Sequence, residues 1–194
     1  MNNELIKGLI AEYQQFVKSV SFVKRAVTLS DNFNYVFVGL RRVGKSYLMY
    51  QQIHHLIEIG ISPEEILFFN FEDERIAGMD TEHLDMIKRC YEEMYSHRPI
   101  FFLDEIQIVP HWEQFVRRLA DQKYRVYVTG SNAKMLSKDI ATTLGGRFMI
   151  QYVYPFSFRE YLSSNGVQLD KLWIYKNRSE AVSYTHLRAH ETVL

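Results

Sequence analysis

The sequence predicts an α/β fold in which a parallel sheet lies between two layers of helices, a three-layer sandwich. Five short apolar runs alternate with helical segments along the chain, an order typical of parallel strands joined by right-handed crossovers. A glycine-rich loop follows the first run, and an acidic pair ends the third. Because parallel strands end at one edge of the sheet, we expect both features there, where such sheets bind ligands.

The predicted strands are short, and most of them lack the alternation of a half-exposed strand, as expected for strands covered on both faces. They cover residues 34–38, 66–71, 100–103, 124–128 and 148–154. The sequence Ser-Pro-Glu-Glu at 62–65 is a capping box with proline at the first helical position, and it predicts a single turn before the second strand.

The predicted helices show apolar residues at helical spacing. An amphipathic helix covers residues 3–19, and a second follows the glycine-rich loop over residues 45–59. A third begins after Asp80 or Thr81, either of which can cap it, and a fourth follows Pro110. Arg117 and Arg118 on the fourth helix favour a solvated face over a nucleic-acid patch.

Composition restricts the class of protein. The 194 residues carry a formal net charge of zero, which gives no sign of a broad nucleic-acid or membrane-surface footprint. The single cysteine, Cys90, excludes an internal disulfide and suits a reducing compartment. No apolar stretch reaches the length of a membrane span. We therefore expect a soluble, cytoplasmic protein.

Residues 39–46, GLRRVGKS, match the phosphate-binding spacing Gly-x4-Gly-Lys-Ser directly after a predicted strand. In this motif the glycines let backbone N–H groups face phosphate oxygens, Lys45 reaches the outer phosphates, and the Ser46 hydroxyl ligates Mg²⁺. The helix that follows also directs its positive end toward the anion. The predicted nucleotide-binding residues are Gly39, Arg42, Val43, Gly44, Lys45, Ser46 and Tyr47.

Asp104 and Glu105 follow the third apolar run. At a strand end beside the phosphate loop, Asp104 is placed to hold Mg²⁺ together with Ser46, and Glu105 is placed to orient and deprotonate an attacking water. The alternative for this pair alone is a solvated acidic turn. Its combination with the phosphate loop favours the catalytic interpretation.

Further polar residues are candidates for the same edge. Ser131 or Asn132 could sense the γ-phosphate or cap the next helix. Arg147, after two glycines, could act as an arginine finger in cis or across an oligomer interface, or be a solvated arginine. Asn70, at the end of the second strand, could restrain Glu105 or form a turn.

Six blocks in order resemble a family of prokaryotic AAA-type ATPases in which an N-terminal ATPase precedes a C-terminal domain of unknown function. These are GLRRVGKS, FNFEDER (69–75), FFLDEIQIVPHWEQFVRRL (101–119), VTGSNA (128–133), LGGRF (144–148) and YPFSFREYL (154–162). The resemblance implies an AAA+ core with strand order 5-1-4-3-2 and ATP as nucleotide. It also implies Lys45 and Ser46 in the phosphate loop, Asp104 and Glu105 in the acidic motif, and a sensor at Ser131 or Asn132.

Residues 182–192, VSYTHLRAHET, resemble the translation of a transposon-type sequencing adapter, and we exclude them from reasoning about the fold. The expected organisation is an N-terminal helix and lead-in at 1–22 and an ATPase core at 23–162. These are followed by the start of a truncated lid or linker at 163–181 and by a non-native tail at 182–194. The family's C-terminal domain is then expected to be missing.

The leading functional hypothesis is a Mg²⁺-dependent ATPase, or an ATP-driven switch, that hydrolyses the β–γ bond of ATP. Hydrolysis would be coupled to a protein or DNA partner through the missing C-terminal region, with a homo-oligomer formed if Arg147 acts across an interface. The alternatives are a non-catalytic nucleotide-binding module in nucleic-acid transactions and a P-loop kinase. A GTPase is disfavoured because no Asn-Lys-x-Asp sequence is present.

Overall fold

The computed structural model describes residues 2–131 and 142–166. Residues up to Pro155 form one compact unit, and a short helix, Phe158–Ser164, belongs to a second. Asn132 and the segments at 167–181 and 182–194 lie outside the described residues, so the predictions made for them stay predictions.

All strand pairs of the first unit are parallel, and they form one five-stranded sheet. The strand order β2-β3-β4-β1-β5 is the predicted order 5-1-4-3-2 read from the other edge, so the predicted fold class is confirmed. The strands are β1 (Asn34–Val38), β2 (Ile66–Asn70), β3 (Ile100–Asp104), β4 (Val126–Gly130) and β5 (Phe148–Tyr152). Both β3 and β4 are buried along their whole length.

The helices of this unit follow the predicted periodicity. Asn2 caps the first, and Asp80 rather than Thr81 caps the third, by accepting from the backbone N–H groups of Glu82 and His83. The short turn Pro63–Glu65 carries the predicted capping box. The helices are α1 (Asn3–Ser19), α2 (Lys45–Glu58), α3 (Thr81–Met94) and α4 (Trp112–Asp121), and Phe158–Ser164 of the second unit is α5.

The fourth strand begins later than its sequence suggests. Tyr124 is apolar enough to start a strand, but its backbone N–H donates to the carbonyl oxygen of Leu119 (3.0 Å) and so closes the end of α4. Lys123 before it adopts a left-handed conformation with φ of 62°. The strand therefore begins at Val126 and extends to Gly130, which brings Thr129 into the sheet.

Aromatic rings pack against one another across the centre of the sheet. Phe102 on β3 stacks on Tyr127 on β4 with ring centroids 4.4 Å apart, and Tyr35 on β1 stacks on the same tyrosine. Stacks across three neighbouring strands fix their register, because flat rings pack in few arrangements. The strand ends that carry polar residues therefore rest on a rigid base. Cys90, on α3, is buried.

None of the helices within residues 2–131 and 142–166 combines the length and the apolar character needed to cross a bilayer.

Candidate nucleotide-binding site

The glycine-rich loop leaves β1 at Gly39 and enters α2 at Lys45. A Cβ on Gly39 would lie 2.4 Å from the carbonyl oxygen of Val153, so only glycine allows this close approach of two backbones. Gly44 has φ of 92°, a left-handed conformation that also favours glycine. The local backbone geometry thus requires glycine at one motif position and favours it at the other.

Lys45 is 4% exposed, and its side chain folds into the loop. The ammonium Nζ donates to the carbonyl oxygen of Leu40 at 3.0 Å and lies 3.7 Å from Oε1 of Glu105. A buried ammonium needs such partners because burial without them is costly. The loop thus presents a positive charge whose nearest carboxylate belongs to the acidic motif.

Ser46, Asp104 and Thr129 form a chain of hydrogen bonds. The Ser46 hydroxyl donates to Oδ1 of Asp104 at 3.1 Å, and the Thr129 hydroxyl donates to the same oxygen at 2.5 Å. Burial raises the pKa of Asp104 to about 6, although both hydrogen bonds oppose the rise. Asp104 is therefore a carboxylate in a poorly solvated position that a cation would stabilise in its ionised form.

Glu105 is held by its backbone and by its carboxylate. Its φ is 52°, and its N–H donates to the hydroxyl oxygen of Thr129 at 2.8 Å. Oε2 accepts from Ser131 at 2.9 Å and from Nε2 of Gln107 at 2.5 Å. A non-glycine residue in this conformation needs fixed surroundings. The two carboxylates of the acidic motif thus diverge, one toward Ser46 and the other toward Lys45.

The structure brings together five of the predicted residues, which come from two strand ends and the start of one helix: Lys45, Ser46, Asp104, Glu105 and Ser131. The other loop residues surround them. Arg42 is exposed with φ of 63°, the Val43 carbonyl accepts from Arg25, and Tyr47 is 53% exposed on α2. Nucleotide contacts by Arg42, Val43 and Tyr47 stay predictions.

Arg147 lies at the opposite end of the sheet. It precedes β5, whose first residue, Phe148, pairs with Asn34 at the start of β1, whereas the phosphate loop follows the end of β1. The five residues of a strand separate these two edges by roughly 16 Å. Arg147 also donates from Nε to Asp121 at 2.5 Å. This position excludes the cis role for Arg147, and the role across an interface stays a prediction.

Asn70 was predicted either to restrain Glu105 or to form a turn, and the structure shows the turn interaction. Its Oδ1 accepts from the backbone N–H of Glu72 at 3.0 Å, a bond typical of an Asx turn. Asn70 is nevertheless the register partner of Asp104 across β2 and β3. It therefore shapes the loop beside the acidic motif.

Three further residues of the site have no role that the sequence assigns to them. Thr129 bridges both carboxyl residues, Gln107 binds Glu105, and Arg25 contacts the phosphate loop. The Arg25 guanidinium is buried and donates to the carbonyl oxygens of Val43 (3.2 Å) and Tyr154 (2.8 Å). Of the three, only Thr129 stands in an informative pattern, because it begins the polar stretch 129–132 directly after the fourth apolar run.

The donor set fits a magnesium ion. Mg²⁺ prefers hard oxygen ligands and is commonly bound through one or two protein oxygens together with substrate phosphates. The Ser46 hydroxyl and the Asp104 carboxylate supply such oxygens side by side, and burial raises the pKa of Asp104, so a cation here would favour its ionised form. Ser46 and Asp104 would therefore hold the ion.

A phosphate loop, an adjacent acidic pair and a hydroxyl-bearing strand end on this parallel sheet define the class of P-loop nucleotide-binding ATPases. A family model described as AAA domain matches residues 31–162. The chain belongs to the AAA domain family.

Relatives of known sequence or structure are consistent with this membership. An uncharacterised protein of Methanocaldococcus jannaschii is 31% identical over 182 residues, which are 93% of this chain and 40% of that protein. One from Haemophilus influenzae is 34% identical over 168 residues, 84% of this chain and 42% of that protein. The chain thus spans about two fifths of the length of these relatives. The solved complex of Saccharomyces cerevisiae Hsp104 with ADP has a TM-score of 0.51 at 16% identity, with 84% of this chain and 23% of that chain covered. This last likeness concerns the fold alone.

Proposed function

We propose that the protein binds Mg·ATP and hydrolyses its β–γ bond, and that hydrolysis drives a conformational change that is transmitted to a partner. One observation carries the proposal: Lys45, Ser46, Asp104 and Glu105 converge at the carboxyl edge of the sheet with bonded or ion-pair distances of 3.1 and 3.7 Å. This is the residue set that phosphoryl transfer requires, since its catalysis is mostly positioning and electrostatic stabilisation.

Each residue has a distinct role in this proposal. Backbone N–H groups of the loop and the Lys45 ammonium bind the phosphates. Bound by Ser46 and Asp104, Mg²⁺ would offset negative charge on the β- and γ-phosphates. The Glu105 carboxylate orients the attacking water and accepts its proton. An incoming γ-phosphate competes with Glu105 for the Lys45 ammonium, so nucleotide binding frees the base for its task.

The experiment is a hydrolysis and binding assay with the full-length protein and two variants. We expect Glu105→Gln to retain Mg·ATP and to lose hydrolysis by 10²-fold or more, which is roughly the worth of a general base. We expect Lys45→Ala to lose Mg·ATP binding itself. Unchanged turnover in Glu105→Gln would overturn the role of Glu105, and unchanged binding in Lys45→Ala would overturn the site.

The same assay tests oligomerisation. In a ring or dimer, Arg147 at the amino end of β5 could approach the nucleotide of a neighbouring copy. Specific activity should then rise with protein concentration, and Arg147→Ala should lower turnover without weakening ATP binding. Activity that is independent of concentration and of Arg147 would exclude this role.

The partner stays a proposal that rests on the C-terminal domain expected from the resemblance. The cytoplasmic setting is a separate proposal that rests on composition, with a single cysteine in the sequence. No observation in the described residues favours a kinase or a nucleic-acid module. Arg118, one of the two cations considered for nucleic acid, forms a salt bridge with Asp85 at 2.7 Å.

A further inference from the structure

Gln107 makes an unusual pair of interactions in the short turn Ile106–Ile108 that follows Glu105. Its Nε2 donates to Oε2 of Glu105 at 2.5 Å. Its Oε1 is buried, and within the part of the chain that the structure describes it has no hydrogen-bond donor. A buried acceptor without a donor costs about 1–3 kcal/mol. If Gln107 served packing alone, an apolar side chain of the same length would serve better.

The two oxygens of the Glu105 carboxylate differ in their surroundings. Oε2 accepts from both Gln107 and Ser131, and two donors fill the lone-pair positions of a carboxylate oxygen. Oε1 lies 3.7 Å from Nζ of Lys45 and accepts no hydrogen bond from the described residues. One oxygen is thus fully engaged, and the other is available on the side of the phosphate loop.

We propose that Gln107 is a positioning residue for ATP hydrolysis. Together with Ser131 it occupies Oε2 and fixes the rotation of the carboxylate. The oxygen that takes the proton from the attacking water is then Oε1, which faces Lys45. The inference rests on the proposed function, because it specifies which atom of Glu105 acts as the base and which side chain aims that atom.

The backbone contacts of Glu105 do not fix its carboxylate, so a second set of contacts is needed to hold that group. The left-handed conformation of Glu105 and its bond to Thr129 fix the Cα position, but the side chain of glutamate keeps three rotatable bonds. Two donors on one terminal oxygen restrict the remaining rotation of the carboxylate. A displacement of about 1 Å at a reacting group can lower a rate by 10²-fold. The single hydrogen bond from the Gln107 amide is therefore expected to have a large effect on the rate of hydrolysis.

The test uses the full-length protein with Gln107→Met, Glu105→Gln, the double variant, and Gln114→Met as control. Gln114 is an exposed residue of the same type on α4. Methionine matches the length of glutamine but cannot donate to Glu105. We expect Gln107→Met to lower kcat by roughly tenfold to hundredfold, with KM and Mg·ATP affinity within about twofold of wild type.

Two further readouts separate positioning from a structural role. The midpoint of thermal unfolding of Gln107→Met should equal or exceed that of wild type, because the buried acceptor without a donor is gone. In the double variant, Gln107→Met should cause no further loss beyond that of Glu105→Gln, since it acts through Glu105. If Gln107→Met does not fold, Gln107→Asn, which is one methylene too short to reach Glu105, replaces it.

A kcat for Gln107→Met within about twofold of wild type, with Glu105→Gln inactive, would overturn the inference alone. A lower unfolding midpoint together with weaker Mg·ATP binding would also overturn it, in favour of a packing role. Wild-type turnover in Glu105→Gln would instead overturn the proposed function, and the inference with it.

Discussion

Thr129 gives the sharpest structural prediction, because one buried hydroxyl serves both residues of the acidic motif. The side chain is fully buried, accepts from the N–H of Glu105 and donates to Oδ1 of Asp104. Thr129→Val preserves the shape and removes the hydroxyl. It thereby deletes a hydrogen bond to a carboxylate and leaves a buried N–H without an acceptor, each of which typically affects stability by about 1–3 kcal/mol.

We therefore expect Thr129→Val to lower the free energy of unfolding by about 3 kcal/mol in metal-free buffer. It should also weaken Mg·ATP binding, because Asp104 loses a donor that favours its charged form. Urea denaturation and calorimetric titration measure the two effects. Thr81→Val is the control, since its hydroxyl donates to the Pro110 carbonyl at an exposed position. We expect a loss below about 1 kcal/mol there.

A Thr129→Val variant that loses no more stability than Thr81→Val would refute this reasoning. That result would mean that water or a rearranged side chain replaces the hydroxyl, so that Thr129 does not organise the acidic motif.

Two further predictions concern the surroundings of the site. Gly39→Ala places a Cβ 2.4 Å from the Val153 carbonyl oxygen, so we expect it to lower stability by about 1–3 kcal/mol. Gly8→Ala, with nothing within 4 Å in α1, should raise stability by about 0.5–1 kcal/mol; equal effects in urea unfolding would contradict the account. A hydrogen bond from Arg75 holds the pKa of Asp73 well below its usual range, so this carboxylate stabilises the fold above about pH 4 and loses that effect as the pH falls further. Asp73→Asn should cost about 1 kcal/mol at pH 7, a value kept small by solvent screening, and the cost should shrink progressively as the pH falls from about 4 toward 2; a difference that does not shrink with acid would argue against this role.

The fold was predictable because its signals are local. The alternation of apolar runs and helical segments, the capping box at Ser62 and the glycines of the loop each depend on a few neighbouring residues. The strand order was less accessible, since it depends on which strands pair across the chain. It came from the resemblance of six sequence blocks. The start of β4 was missed because Tyr124 completes a helix end, an interaction that strand propensity does not describe.

The site was predictable only where a motif fixes the chemistry. The sequence groups Lys45, Ser46, Asp104 and Glu105 in one candidate site because their motifs tie those residue types to fixed positions beside strand ends. Gln107 and Arg25 were missed, and Thr129 was placed at this edge only as part of a polar cluster without a role, because each acts through a tertiary contact with a motif residue. Arg147, by contrast, was a candidate from the sequence but lies away from the site. Its position after two glycines suggested a mobile positive charge, and only the strand pairing shows that it lies at the end of the sheet opposite the phosphate loop.

The arrangement of charges explains why the added residues matter. Two carboxylates and one ammonium are buried within a few ångströms of one another, where each unmatched charge is expensive. Asp104 is stabilised by hydroxyls, from Ser46 and Thr129, that can yield to a cation. Glu105 is stabilised by Ser131 and Gln107 on one oxygen, while its other oxygen faces Lys45. In the proposed function, the acidic motif would exchange its hydroxyl and ammonium partners for a cation and a phosphate, while the hydrogen bond from the Glu105 backbone to Thr129 keeps the motif anchored.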